Sequence, residues 1–458
     1  MEKPNASTSS LKRTLGLLSL IAAGVGMVVG QSAAVAILQG VGTDGTAFMV
    51  AILIAFFLTL GYIFTFTELS LMMPKAGGIS TYTEVAIGHF PAITVTLAGY
   101  LGIAIFAGAS DLFLLNYTMD IVYPGVFTHF GLWLYLGVAV VNLLGIQVFA
   151  TTQNLLAYIM LAVLLVIAVA GISSSKPQDI PFSSLLDNLG SVGSTVLPLT
   201  VLALLALMGM EFVCPLIEET KAPETTLPRA MILSAVILLV IYGSFALAAY
   251  RKIPGEELVA TSTPHLTLIQ AIFGRTGNLL MAGVVVTAAA TSFNVGFAGM
   301  SRMLYGMAKN NQMPKIFSLL HPTWRTPWFG ILFICGLCVA AYFIFLDAQG
   351  VVLLLVTSCA FVWLLVYIVA HIDLIVLRRR YPDFPRTYRS PWYPFTQIVG
   401  IFAMVYLLYD NSPSSDMARA VYLNAGLITG LAALYAGLWI KLRMKKSYFK
   451  GEPIENIK

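Results

Sequence analysis

Charge is scarce in this sequence. Of its 458 residues only 10% are Asp, Glu, Lys or Arg, against roughly 25% in a soluble globular chain. With 58% hydrophobic residues, no water-soluble fold hides the apolar surface, and a lipid bilayer must cover part of it. Cysteine is scarce too: Cys214, Cys335, Cys338 and Cys359 all lie inside apolar runs, which excludes a disulfide framework. Cys335 and Cys338 form a C-x-x-C pair, but no second pair and no neighbouring histidine accompanies it, so it reads as two small packing residues rather than a redox or metal site. No basic face is present; the net charge of +5 is spread over short loops, which gives no footprint for a nucleic acid. Paired carboxylates, histidine pairs and a Ser or Cys with a nearby base are also missing, so the chain is expected to be no enzyme and to need no cofactor or metal. A channel is disfavoured by the lack of a pore-lining repeat or charge ring.

What fills the chain is apolar runs of bilayer length, about 20 residues each. They fall at 14–39, 45–72, 85–121, 131–149, 153–173, 195–217, 229–249, 277–308, 327–346, 350–377, 393–409 and 417–441. This predicts an all-α membrane protein of 12 transmembrane helices in one transmembrane domain over residues 1–458. The polar N-terminus (Met1–Arg13) leads into hydrophobicity that simply continues, so the first run reads as a permanent helix and not a cleaved signal. With that terminus inside, 21 of the 26 Lys and Arg fall on one side and 5 on the other. The positive-inside rule then predicts that both termini are cytoplasmic.

Two runs are interrupted at mid-membrane. The first carries Gly24, Gly26 and Gly30, then Gln31 and Ser32; the sixth carries Gly209, then Glu211 and Pro215. Glycine and proline weaken helix, and polar backbone survives at membrane depth only where it is buried in protein or lines a cavity. Interruptions in corresponding helices, one and six, point to a transporter built of two inverted five-helix repeats, about 14–173 and 195–377, with extra helices at about 393–441.

Four motifs carry a family resemblance. The second run ends Glu68-Leu-Ser-Leu-Met-Met-Pro-Lys-Ala-Gly-Gly78, similar to "ELS…P.AGG". The sixth runs Gly209-Met-Glu211 to Glu219-Thr-Lys-Ala-Pro223 and Pro228-Arg229-Ala230, similar to "G.E…EE.KNP…IPRA". The eighth ends Ser301-Arg302-Met-Leu-Tyr305-Gly-Met-Ala308, reaching Pro314 and Thr326-Pro327, similar to "SR.LYAMARDG.LP…TP". After the tenth, Leu377-Arg378-Arg-Arg-Tyr-Pro382-Asp383 and Arg386 resemble "LRRK.PD..RP". In this order, over about residues 10–445, they resemble the amino acid–polyamine–organocation (APC) transporters. The resemblance implies the LeuT/APC-type fold, alternating access, a solute carboxylate at the break of helix one and its amine at the break of helix six.

The same comparison yields candidate residues. In helix one, Val28, Val29, Gly30, Gln31 and Ser32 match the family stretch "G-S-G-I-F", whose free N–H groups bind a carboxylate. Gln31 and Ser32 replace its Ser and second Gly, and Ala34 its aromatic residue, which leaves room for an amine without a carboxylate. Glu211 follows Gly209 and by resemblance serves solute recognition or proton response. Asp111, a turn after Gly108 in helix three, has no cation nearby in sequence; a carboxylate there would complement an amine, guanidinium or polyamine. Leu205 and Gly296 leave room for a bulky or long solute. Proton-coupled relatives hold a Lys about seven residues after a helix-five Gln; here Gln153 is followed by Met160. Thr291 and Ser292 fall near a sodium position. Glu68, Glu218 and Glu219 read as gate or loop anchors, His89 and His265 as surface residues, and His371 and Asp373 as a local pair.

The reading is a secondary transporter in the plasma membrane for an amino acid or related amine, coupled to protons or counter-exchange, with sodium possible. The alternatives are a polyamine or cationic-amine permease, in which Asp111 and Glu211 hold two ammonium groups, and a non-transporting nutrient sensor of the same fold.

Overall fold

The computed structural model describes residue 11 and residues 13–457, except 127, 175–178, 182, 185–187, 189–192, 194, 262, 347–349 and 410–414. The start of the polar N-terminus, most of the 174–194 stretch and the side chain of Gln31 therefore lie outside the described residues. Among the described residues the chain is all helical, with no strand.

The first run is split into α1 (Leu17–Val28) and α2 (Gln31–Thr43), which meet at a bend of 58°. Asp44 caps α3 (Gly45–Met72), its carboxylate accepting from the Ala47 N–H at 2.9 Å. A short α4 (Ile79–Ala86) precedes α5 (His89–Thr96), a π turn (Leu97–Leu101) and α6 (Gly102–Val122). Then come α7 (Phe130–Leu143), α8 (Ile146–Ser173) and α9 (Val196–Leu205). A 3-10 segment (Met210–Glu219), α10 (Pro223–Lys252), short α11 (Gly255–Ala260) and α12 (Pro264–Phe273), and α13 (Gly277–Lys309) follow. The chain closes with α14 (Trp328–Ile344), α15 (Val351–Arg380), α16 (Phe395–Tyr409) and α17 (Ser415–Trp439).

Among the described residues eight helical stretches are long and apolar enough to cross a bilayer, and the bent pair α1/α2, taken as one span, makes a ninth. Three further runs expected as spans form shorter apolar helices, α7, α14 and α16, of 14, 17 and 15 residues. At 1.5 Å per residue each of these covers less than the roughly 30 Å hydrocarbon core. The outward faces carry bare apolar side chains, among them Leu155, Val166, Phe402 and Leu427. Such a surface is solvated by lipid tails, and the chain is a multi-pass membrane protein.

The two interrupted spans sit at the centre. Helix α1 packs on α8, α10, α13 and the 3-10 segment, while α15 packs on α3 and α6. Leu11 and the C-terminal tail lie at one end of the bundle, here the terminal face. There Leu11 packs with Ala76 and Tyr305. The C-terminal tail returns onto α4 and α5: the Phe90 N–H donates to the Tyr448 carbonyl (2.9 Å) and the Glu452 N–H to the Glu84 carbonyl (3.0 Å).

This return buries a histidine read as surface. His89 is 1% exposed, held between Glu84 at 2.8 Å and Glu452 at 3.3 Å. His265 is also buried, beside Thr118 at 3.4 Å, because α12 folds back against α13 rather than lying in a loop. His371 and Asp373 do not pair. They stand two apart on one helix and so face different directions: His371 Nδ1 meets the Thr65 hydroxyl at 2.9 Å, and Asp373 accepts from Thr83 at 2.6 Å.

Candidate functional site

Each interrupted span leaves backbone groups without helical partners, and the neighbouring helices supply them. Val29 still donates to the Val25 carbonyl, but Gly30 turns back to the Val28 carbonyl and is extended (φ −107°, ψ 166°), so the ladder stops. The Val28 carbonyl also accepts from the Tyr242 hydroxyl at 3.1 Å. In the sixth span α9 ends at Leu205, and Gly209 takes φ 120°, a region that favours glycine. The Leu207 carbonyl accepts from Tyr62 (2.7 Å), and the Gly209 N–H donates to the Tyr367 hydroxyl (3.0 Å). The two breaks adjoin: a Cβ on Gly209 would lie 3.1 Å from Met27 and 3.2 Å from Trp363.

Beside these breaks lies a small buried chamber of about 30 Å³. Gly108 and Asp111 of α6 line it, with Ser292 and Gly296 of α13, Met27, and the rings of Tyr135, Phe293 and Phe297. Asp111 is 6% exposed. The hydroxyls of Ser32 and Ser292 flank its carboxyl, yet Oδ1 has no hydrogen-bond partner. Gly108 is required for packing as well, since a Cβ there would meet Cys338 Sγ at 2.7 Å.

Ser32 also faces a larger cavity of about 340 Å³, lined by α2, α6, α9 and the start of α15, including Gln39, Tyr117, Leu205 and Thr357. This vestibule lies toward the end of the bundle opposite the termini. The terminal face is closed by ion pairs. Arg302 pairs with Glu219 through Nε and, at 3.1 Å, through Nη2. Glu68 accepts from Arg378 at 2.8 and 2.6 Å and from the Ser390 N–H at 2.6 Å, and forms an ion pair with Arg386 at 3.1 Å. Glu218 accepts from the Ala76 N–H at 2.8 Å. The Leu15 N–H donates to the Glu219 carbonyl, and the Lys221 N–H to the Leu15 carbonyl, both at 2.9 Å, tying the start of the first span to the end of the sixth.

The structure thus brings Ser32, Gly108, Asp111, Ser292 and Gly296 together and sets Leu205 above them. Other candidates lie elsewhere. Val29 and Gly30 line a separate apolar hollow of about 20 Å³ behind the break, with Leu164 and Tyr242. Glu211 is fully buried against α15, where Trp363 Nε1 donates to Oε1 (2.6 Å) and the Tyr367 hydroxyl to Oε2 (2.5 Å). The Thr291 hydroxyl donates to the Ala288 carbonyl (2.9 Å), and Met160 is buried in the apolar core.

Sequence reasoning missed two assemblies. One is the set Tyr62, Trp363 and Tyr367, with Tyr62 stacked on Tyr367 at 4.3 Å. Trp363 and Tyr367 are four apart, one face of a helix, and that spacing of polar-tipped rings was the available signal. The other is an amide chain across four helices. Asn142 donates to Asn294 (2.7 Å), Asn294 to Gln153 (2.9 Å), and Gln153 to the Ala22 carbonyl (2.9 Å). It anchors α1 to α8 through Gln153, two turns before Met160.

The family model described as "Amino acid permease" matches residues 15–433. The chain is 26% identical to a serine/threonine exchanger of Bacillus subtilis (strain 168) over 456 residues, covering 96% of this chain and 98% of that one. It is 24% identical to a branched-chain amino acid permease of the same strain over 445 residues, covering 92% of each. It is also 24% identical to the cystine/glutamate transporter of Homo sapiens over 470 residues, covering 98% of this chain and 89% of that one.

Proposed function

Because the chain belongs to the amino acid permease family, we propose that it is a secondary transporter for an amino acid or related amine, working by alternating access across the plasma membrane. The observation that carries this reading is the meeting of two broken spans beside a small chamber holding a buried carboxyl, Asp111, with no cation beside it. Interrupted helices at mid-membrane place polar groups where a solute is held, and rocking around that point exposes it to either side. The vestibule on one side and the ion pairs on the other fit an outward-facing stage of such a cycle.

The shorter helices α7, α14 and α16 complete 12 spans, arranged as two inverted repeats of five followed by α16 and α17. The terminal face is cytoplasmic, in keeping with 21 of the 26 basic residues on that side. The Thr291 hydroxyl donates to a backbone carbonyl, and Ser292 flanks Asp111. We assign coupling to protons or a counter-solute, with sodium at Thr291 and Ser292 as the alternative.

The test is uptake into liposomes reconstituted with the purified protein, using radiolabelled amino acids and amines. Saturable uptake of at least one is expected, faster with unlabelled solute inside or with a proton gradient directed inward. Uptake of none, together with no thermal stabilisation by any, would overturn the reading.

A further inference from the structure

We propose that Asp111 is a specificity residue that receives an ammonium group at the far end of the solute, so that the carrier selects a solute with a cationic side chain. The inference rests on the transport reading above and names the solute class for its site.

Three observations carry it. First, Asp111 is 94% buried with Oδ1 unpartnered, and the chamber-lining residues include no Lys, Arg or His. A carboxylate withdrawn from water without a cation is costly even after relaxation. Asp111 contributes no ion pair to the packing of α6, unlike Glu219 and Glu68, whose oxygens are held by arginines. A cation arriving with the solute would repay that cost at the moment of binding, which places discrimination between cationic and neutral solutes at this group.

Second, the rest of the lining suits a small cation. The rings of Tyr135, Phe293 and Phe297 surround the chamber, and aromatic faces attract cations most strongly when water is excluded. The Ser32 and Ser292 hydroxyls beside the carboxyl supply acceptor oxygens for the remaining ammonium hydrogens.

Third, the dimensions set the order of parts. The chamber, at about 30 Å³, is far smaller than the 340 Å³ vestibule beside it, so it takes only the tip of a solute. Ser32 lines the vestibule and its hydroxyl stands beside the Asp111 carboxyl of the chamber, so the ammonium tip lies below it and the body of the solute above, in the 340 Å³ cavity. Glu211, with both oxygens held by Trp363 and Tyr367, is not the partner of a second ammonium in this arrangement.

The experiment is competition and thermal-shift measurement on the full chain in detergent and liposomes, with lysine, ornithine, arginine, leucine, serine and glutamate as probes. Lysine, ornithine and arginine are expected to bind at least tenfold tighter than leucine, serine or glutamate. Asp111→Asn should weaken lysine at least tenfold and leave leucine within twofold, while Asp111→Glu should restore part of the preference. Wild-type protein that favours leucine, serine or glutamate over lysine overturns the inference without any variant, and leaves the transport reading standing. An Asp111→Asn protein that folds and keeps the wild-type preference, losing only a pH dependence, also overturns it. Failure of every probe to bind or be transported overturns the transport reading itself.

Discussion

The indole nitrogen of Trp363 lies 2.6 Å from one carboxyl oxygen of Glu211, and the hydroxyl of Tyr367, one turn further along α15, lies 2.5 Å from the other. Both donors come from a continuous helix and both acceptors from the segment that has lost its helical ladder. The pair therefore clamps the break of the sixth span onto α15, and Tyr367 reinforces it by accepting from the Gly209 N–H.

Removing one donor should loosen that clamp measurably. A hydrogen bond to a charged group contributes about 1.5–3 kcal/mol. Tyr367→Phe also strips the Gly209 N–H of its acceptor and should destabilise more than Trp363→Phe. Thermal unfolding in detergent checks the order. Equal and negligible shifts for the two variants would show that Glu211 is held by something else.

Gly209 offers a sharper backbone test. Its φ of 120° is a conformation that side chains rarely adopt, and a methyl group there would push on Met27 and Trp363 at 3.1–3.2 Å. Gly209→Ala should cost on the order of 1–3 kcal/mol from backbone strain alone, with loss of transport. Gly243→Ala, in α10 with nothing within 4 Å, should be neutral or slightly stabilising. Comparing the melting temperatures of the two variants decides whether the break itself, rather than glycine content, matters.

Arg302 and Glu219 are both almost fully buried. Removing one partner of a buried pair leaves a naked charge and costs about 3–5 kcal/mol, whereas replacing both with apolar residues is often tolerated. Arg302→Met and Glu219→Leu should each cripple expression or stability, and the double variant should recover much of the loss. If the pair closes the terminal face, the folded double variant should also admit a thiol reagent from that side to a cysteine placed at Met27. Unchanged labelling would restrict the pair to a folding role.

How much of this was legible in the sequence follows from what local pattern encodes. The spans were legible because each apolar run is itself the signal, and the two breaks because Gly30 and Gly209 punctuate those runs. The ion pairs at the terminal face were legible only as motifs: Glu68 lies 310 residues from Arg378, and no periodicity links them. Asp111 stood out as a charge in an apolar helix. That Ser292, not Glu211, stands beside it depends on the rotation of α6 and α13 about their axes, which adjacent apolar residues leave free. His89 was misread because its burial is provided by a tail more than 350 positions away (Glu452).

That tail makes a pH prediction. Burial pushes the Glu452 carboxyl up, but hydrogen bonds from Lys446 and Asn456 and the charges of Lys446 and His89 outweigh it, holding the group below its ordinary value of 4.5. A carboxyl lower in the folded state than in the free chain stabilises docking at every pH above its free value and loses that contribution as pH falls through its folded one. Burial acts the other way on Glu84, raising it above 4.5, so charging Glu84 works against the docked state as pH climbs from the free value. The Glu452 contribution to docking is fully present at neutral pH and is lost as pH falls below about 4.5, with Glu84 offsetting part of that loss, so amide hydrogen exchange over 446–457 should quicken. Glu452→Gln should exchange fast already at neutral pH and show a much flatter pH profile. A tail that exchanges equally slowly at pH 3.5 and pH 7, after correction for the intrinsic chemical rate, would show that the backbone bonds to Phe90 and Glu84 hold it without the carboxylate.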